Sequence, residues 1–146
     1  MFGLVKLLHA VASGRYTIEE VDAITGPAIG RPKSATFRTL DLAGLDVAAK
    51  VAADLERRLP PAQAAHFAMP AFVTTMLEKG LIGDKAGSGF YKKVKGPDGT
   101  KILTLDLATF EYREGQKAKI PSLDAGKGID NLGDRLRMLL AADDKA

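Results

Sequence analysis

The sequence predicts a mainly α domain that carries a small β-hairpin near residues 89–105 and contains no Rossmann domain. Three observations carry this. Apolar residues recur at helical spacing between glycine and proline breaks from residue 2 to residue 80. One strand–turn–strand signal follows, with Gly96, Pro97, Asp98 and Gly99 between the strand-like runs 89–95 and 100–105. No segment sets a strand, a glycine loop and a helix in the order that dinucleotide binding requires.

Each element has its own warrant. Residues 2–12 place Leu4, Leu7, Leu8 and Val11 on one face of a helix that Gly14 ends. Thr17 and Glu20 form a capping box for a short helix reaching about Ile24. Gly26, Pro27, Gly30 and Pro32 then hold an extended loop. Ser34 is a good N-cap for a helix over residues 35–43, with Phe37, Leu40 and Leu42 inward and Gly44 closing it. Asp46 caps a helix over residues 47–59 that Pro60 and Pro61 stop. Residues 62–69 are ambiguous. Pro70 suits the first turn of a helix through Glu78, with Gly80 beyond its end. The hairpin is too small to be stable alone and has to lean on the helices. Residues 114–119 read as a polar linker, and Asp130 as the cap of a last helix bearing Leu132, Leu136, Leu139 and Leu140 on one side. The expected domain division is 1–105, helices and hairpin, then 106–146, linker and last helix.

Bulk properties exclude several classes. The chain has 146 residues, 46% hydrophobic and 27% charged, which is enough for one domain with a modest core. There is no cysteine, so disulfides and thiolate zinc sites are excluded and a reducing compartment fits. No apolar run approaches the roughly 18 residues of a membrane span. Lys6 and His9 interrupt the first apolar stretch, which therefore lacks a signal-peptide layout, and a cytoplasmic location is expected. The helix starting at Phe2 has no cap residue before it, which reads as a piece excised from a longer protein.

Few residues suggest chemistry. Gly83, Gly87 and Gly89 have the wrong spacing for a dinucleotide fingerprint and precede a strand. Gly26 to Ser34 superficially resembles a phosphate loop, but Lys33 does not follow Gly30. Lys33 and the amides after Ser34 still sit at an expected helix N-terminus, where a phosphate or thioester oxygen could dock; plain capping is the other reading. His9 and His66 lack partners at metal-ligand spacing. Ser34 and Ser88 have no nearby histidine from which to build a nucleophilic triad. Lys92, Lys93, Lys95 and Lys101 could steer phosphates of coenzyme A or nucleic acid, or simply blunt the edges of a solvated hairpin. Met69, Met76, Phe67 and Phe72 could line an acyl chain or belong to the core.

Taken together, Gly30-Arg-Pro32, Phe37, Leu40-Asp41, Gly44-Leu45-Asp46 and Gly83-x-Lys85-x-Gly87-x-Gly89-Phe90-Tyr91 resemble the C-terminal helical domain of 3-hydroxyacyl-CoA dehydrogenases over about residues 14–93. The residues Arg31-Pro-Lys-Ser34 and the tail beyond Leu105 are similar to long bacterial proteins that join this dehydrogenase to an enoyl-CoA hydratase. Ser34, Ala35 and Thr36 stand where most relatives carry Gly-Pro. The resemblance implies an NAD-dependent oxidoreductase of fatty-acid β-oxidation, in which NAD takes hydride from the 3-hydroxy carbon of an acyl-CoA while a histidine removes the hydroxyl proton. The family's catalytic His-Glu pair has no match here. The expectation is therefore an incomplete piece, inactive alone, with no catalytic residue and no NAD of its own. It would supply one wall of the acyl-CoA cleft, through Lys33, Ser34, Phe37 and Leu40, and homodimer contacts. A stand-alone helical module binding a protein or acyl-CoA is the alternative; partnership with nucleic acid or membrane is not expected.

Overall fold

The computed structural model describes residues 1–143. Six helices come first: α1 (Phe2–Ala12), α2 (Ile18–Ile24), α3 (Phe37–Ala43), α4 (Leu45–Arg58), α5 (Pro61–Ala64) and α6 (Ala71–Glu78). Three strands follow, β1 (Tyr91–Gly96), β2 (Gly99–Leu105) and β3 (Tyr112–Glu114), then α7 (Pro121–Gly126) and α8 (Leu132–Ala141). The strands form one antiparallel sheet in the order β1-β2-β3. With every pair antiparallel there is no βαβ unit among the described residues, as the sequence predicts.

Local signals set many boundaries as expected. The Thr17–Glu20 capping box is present in both directions. Gly80 follows α6 in the left-handed region, φ 70°. Gly96 pairs with Gly99 across a turn made by Pro97 and Asp98. The core lies between the helices and the sheet: Leu8, Val21, Phe37, Leu45, Val73, Met76, Phe90 and Leu105 are all buried. Phe90 packs against Phe37 with the rings tilted and their centroids 4.7 Å apart, and meets Phe72 edge-on at 6.3 Å. This is how the hairpin leans on the helices. Phe72 and Met76 are therefore core side chains rather than acyl-chain lining.

Several expectations need correction. The helix expected over residues 35–43 starts at Phe37, because Ala35 adopts a left-handed φ of 49°. Ser34 is consequently not its N-cap. Helix α4 starts at Leu45 behind Gly44 (φ 98°), so Asp46 lies inside its first turn instead of capping it. The supposed extended loop contains a 3₁₀ turn, Pro27–Ile29. The ambiguous residues 62–69 fall into α5 and a second 3₁₀ turn, Ala65–Phe67. Asn131, not Asp130, caps α8, accepting from the Asp134 amide at 3.1 Å. The hairpin is three-stranded, and the stretch read as a linker contributes the end of β3 before leading to α7.

Residues beyond Leu105 are tied back to the helices. Tyr112 donates its hydroxyl to the Gly89 carbonyl at 2.6 Å. Arg113 grips Glu19 with two hydrogen bonds of 2.7 and 3.0 Å, and the Gln116 amide donates to the same carboxylate at 3.0 Å. Arg135 of α8 donates to the Ala28 carbonyl at 2.9 Å.

Candidate functional site

The corner that leads into α3 is organised by a carboxylate from another helix. Asp22 of α2 accepts from the amides of Thr36 (3.0 Å), Phe37 (2.7 Å) and Arg38 (3.3 Å). These are the unpaired donors of the α3 N-terminus, and an anion satisfies both their hydrogen bonds and their partial positive charge. The Tyr91 hydroxyl donates to the same carboxylate at 2.8 Å. The amides where a phosphate or thioester oxygen could have docked are thus capped by Asp22, in line with the capping reading, although the cap comes from α2.

A second carboxylate holds the start of the sheet. Asp41 is 1% exposed and accepts from the amides of Phe90 and Tyr91, each at 2.8 Å. Two glycines make room for it. A Cβ on Gly89 would lie 2.1 Å from Asp41 Oδ1, and one on Gly83 would lie 2.3 Å from the Asp41 carbonyl oxygen. Gly83 and Gly89, two of the three nucleotide-binding candidates, are therefore a close-packing device, whereas Gly87 faces open space. They leave no cradle for a dinucleotide, and the residues present do not fit NAD.

Electrostatics follow from burial. Loss of water pushes the Asp41 carboxyl up to about 6, against the pull of its two amide donors. Burial raises Asp22 as well, and it raises the Tyr91 phenol, with the Asp22 charge adding to the effect. Burial opposes the charge on Glu19 too, but the Arg113 and Gln116 hydrogen bonds outweigh it and hold Glu19 below the usual carboxylate range. Two ion pairs strap the 83–89 turn to the helices: Arg38 meets Asp84 through bonds of 2.6 and 2.7 Å, and Lys85 Nζ lies 2.6 Å from Asp46.

The four residues expected to touch substrate do not form one surface. Phe37 is fully buried against Phe90, and Leu40 is 5% exposed. Lys33 is exposed, while Ser34 is half-buried and accepts from the Thr39 hydroxyl at 2.9 Å. What the corner does border is an apolar groove of about 710 Å³ between α1, α3 and α4, lined by Leu4, Leu7, Thr36, Thr39, Leu40 and Val51 among others. Val47 and Val51 stand 47% and 42% exposed beside it. Sequence reasoning missed Asp22 entirely and marked Asp41 as part of the family motif, without a partner. The proximity of Asp41 to the Gly-x-Gly-Phe-Tyr element was the one available signal, and it lies in three dimensions only.

No group of three or more His, Asp or Glu side chains among the described residues could hold a metal. His9 Nε2 lies 2.9 Å from the Ala68 carbonyl, and His66 packs edge-on to Phe2. No helix among the described residues is long and apolar enough to cross a membrane.

Comparison with known proteins follows the same motifs. The family model for the 3-hydroxyacyl-CoA dehydrogenase C-terminal domain matches residues 3–93. A probable 3-hydroxyacyl-CoA dehydrogenase of Bacillus subtilis (strain 168) is 45% identical over 145 residues, covering 99% of this chain and 18% of the relative. A probable 3-hydroxyacyl-CoA dehydrogenase of Deinococcus radiodurans is 43% identical over 95 residues, 65% of this chain and 27% of the relative. The crystal structure of Mycobacterium tuberculosis FadB2 superposes with a TM-score of 0.56 at 30% identity, covering 64% of this chain and 31% of that one. The chain thus spans less than a third of each of these proteins.

Proposed function

Because the chain belongs to the C-terminal domain family of the 3-hydroxyacyl-CoA dehydrogenases, we propose that it acts as one wall of the acyl-CoA cleft in an NAD-dependent enzyme of fatty-acid β-oxidation, and that it has no turnover of its own. The observation that carries this reading is the open apolar groove beside the 33–40 corner. Its floor is fixed by Leu40 and its rim by Val47, Val51 and Thr39. Exposed valines on one helix face are a feature of surfaces that meet a partner or an apolar ligand. In this reading the groove faces the half of the dehydrogenase that carries the redox chemistry, and the exposed face of α4 also serves the dimer contact.

What these residues contribute is shape and rigidity. Asp22 locks the α3 N-terminus against α2, and Asp41 locks the sheet against α3, so the corner is held in one position relative to the groove. A fixed wall lets binding energy orient an acyl-CoA instead of being spent on ordering the protein. Hydride acceptance from the 3-hydroxy carbon belongs to NAD bound elsewhere in such an enzyme. The cytoplasm is the compartment proposed for it, consistent with a chain free of cysteine.

Two measurements test this. The 146-residue chain alone should show no NAD reduction with a 3-hydroxyacyl-CoA, whereas a dehydrogenase that contains this segment should. In that larger enzyme, Lys33→Ala or Thr39→Val should raise KM about three- to tenfold with kcat little changed, as loss of uniform binding requires. Turnover by the isolated chain, or unaltered kinetics in both variants, would reject the reading.

A further inference from the structure

The molecule holds a second cleft that shares no lining residue with the groove of the proposed substrate wall. It measures about 570 Å³ and lies between α2 with its following 3₁₀ turn and the returning segment of α7 and α8. Ala23, Ala28, Ile120, Leu123 and Leu139 make its lining predominantly apolar. Ile120, Leu123 and Leu139 also wall an adjoining apolar hollow of about 250 Å³.

The charges around this cleft do not balance. Its two carboxylates already have cations: Glu19 is gripped by Arg113, and Asp124 is paired with Lys127. Two cations remain. Arg135 spends its hydrogen bonds on neutral carbonyls, those of Ala28 (2.9 Å), Ile129 (2.8 Å) and Pro27 (3.3 Å), with no carboxylate partner among the described residues. Lys117 is exposed, makes no ion pair among the described residues and acts on Asp124 only through space. An apolar cavity with surplus positive charge at its mouth is complementary to a molecule with an apolar chain and an anionic head.

We propose that this cleft is a binding site for a single-chain amphiphile of the fatty-carboxylate class, its chain along Ile120, Leu123 and Leu139 and its carboxylate between Arg135 and Lys117. Three of the five guanidinium N–H groups are committed to carbonyls, which leaves two for a carboxylate, while Lys117 adds an unpaired charge at the water boundary. The site is built from α2 with its 3₁₀ turn, Tyr91, the 116–118 segment, α7 and α8, and it shares no lining residue with the substrate groove, so it stands or falls independently of the dehydrogenase reading.

Decanoate is the probe, titrated into the 146-residue chain below its micelle-forming concentration and followed by amide chemical shifts. Expected are saturable shifts centred on Ala23, Ile120, Leu123 and Leu139, with decanol binding at least threefold more weakly. Lys117→Glu, a surface change that removes no hydrogen bond, should weaken decanoate at least threefold and leave decanol unaffected. Ala23→Trp should fill the cleft and abolish both, with far-ultraviolet dichroism confirming its fold. Shifts scattered over the surface, the absence of saturation, equal affinity for decanoate and decanol, or an unaltered decanoate affinity in Lys117→Glu would each overturn the proposal.

Discussion

Tyr91 is hydrogen-bonded at both ends to carboxylates from different helices: its amide to Asp41 and its hydroxyl to Asp22, each at 2.8 Å. One residue thereby ties β1 to α2, and through Asp22 to the start of α3. Three residues of the family motif, Asp41, Phe90 and Tyr91, meet at this junction.

Removing Asp22 should be costly. Asp22→Ala leaves the N-terminal amides of α3 and the Tyr91 hydroxyl without their acceptor, and a hydrogen bond to a charged partner contributes about 1.5–3 kcal/mol net of the exchange with water, offset here by the burial cost of the carboxylate and by water entering the space left. A loss on the order of 3 kcal/mol is expected in urea unfolding. Tyr91→Phe removes only the hydroxyl contact and should cost about 1 kcal/mol. A smaller loss for Asp22→Ala than for Tyr91→Phe would contradict the capping role.

Stability should rise as the solution is made mildly acidic. Asp41 has a folded pKa of about 6, above its ordinary 3.8, and Asp22 shifts in the same direction. A carboxylate with a raised folded pKa contributes its full stability below the unfolded value and loses it as pH climbs through the folded one. Glu19 and Asp84 are shifted down, so their contributions begin to fade as pH falls through the ordinary carboxylate values and are lost below the lowered ones, which opposes the gain at the acid end. Between about pH 7.5 and about pH 4.5 the gain should be on the order of 2 kcal/mol. Asp41→Asn should flatten that slope, whatever it does to absolute stability; a slope that persists in the variant would remove Asp41 as its cause.

Glycines in the 83–89 turn should differ sharply. Gly89→Ala and Gly83→Ala place a Cβ inside van der Waals distance of Asp41, and Gly83 also has φ 115°. Each should cost more than about 3 kcal/mol or prevent folding, since neither the buried carboxylate nor the α3 backbone has space to retreat. Gly87 has φ 78°, but a methyl group there would meet nothing within 4 Å. Gly87→Ala should therefore cost only about 1–2 kcal/mol, the left-handed backbone penalty. Comparable losses at Gly87 and Gly83, which share a positive φ, would show that backbone strain, not crowding, governs the turn.

The Arg38–Asp84 pair should be a modest contributor. Its side chains are 27% and 41% exposed, so solvent screens the attraction despite the paired geometry. A double-mutant cycle with Arg38→Ala and Asp84→Ala should give a coupling of about 0.5–1 kcal/mol that shrinks in molar salt. Coupling above about 2 kcal/mol would mean that the pair is far better shielded than its exposure indicates.

How much was legible in the sequence divides by range. The Thr17–Glu20 box, the glycine after α6 and the Gly-Pro-Asp-Gly turn act over a few residues, so sequence alone located them. Asp22 reaches amides 14–16 positions away and Asp41 reaches one 49 away; no periodicity encodes such contacts. Ser34 looked like the cap of α3 because only neighbours could be considered. Strand β3 has three residues, too few for an alternation pattern, and it follows Phe110 in a left-handed conformation, φ 58°. For the candidate site, helical spacing marked Phe37, Leu40 and Leu42 as inward-facing, but Leu42 is 60% exposed, and spacing could not tell a core from a cleft. Burial decided that, assigning Phe37 to the core and leaving Leu40 at the base of the groove.

The Arg113–Glu19 pair spans 94 positions. During synthesis α2 therefore leaves the ribosome well before its cation exists, and Glu19 waits in water until β3 has emerged and paired with β2. A polypeptide trimmed at Leu105 would retain every family motif yet leave that acid without a counterion and turn β2 into an open edge inviting intermolecular pairing.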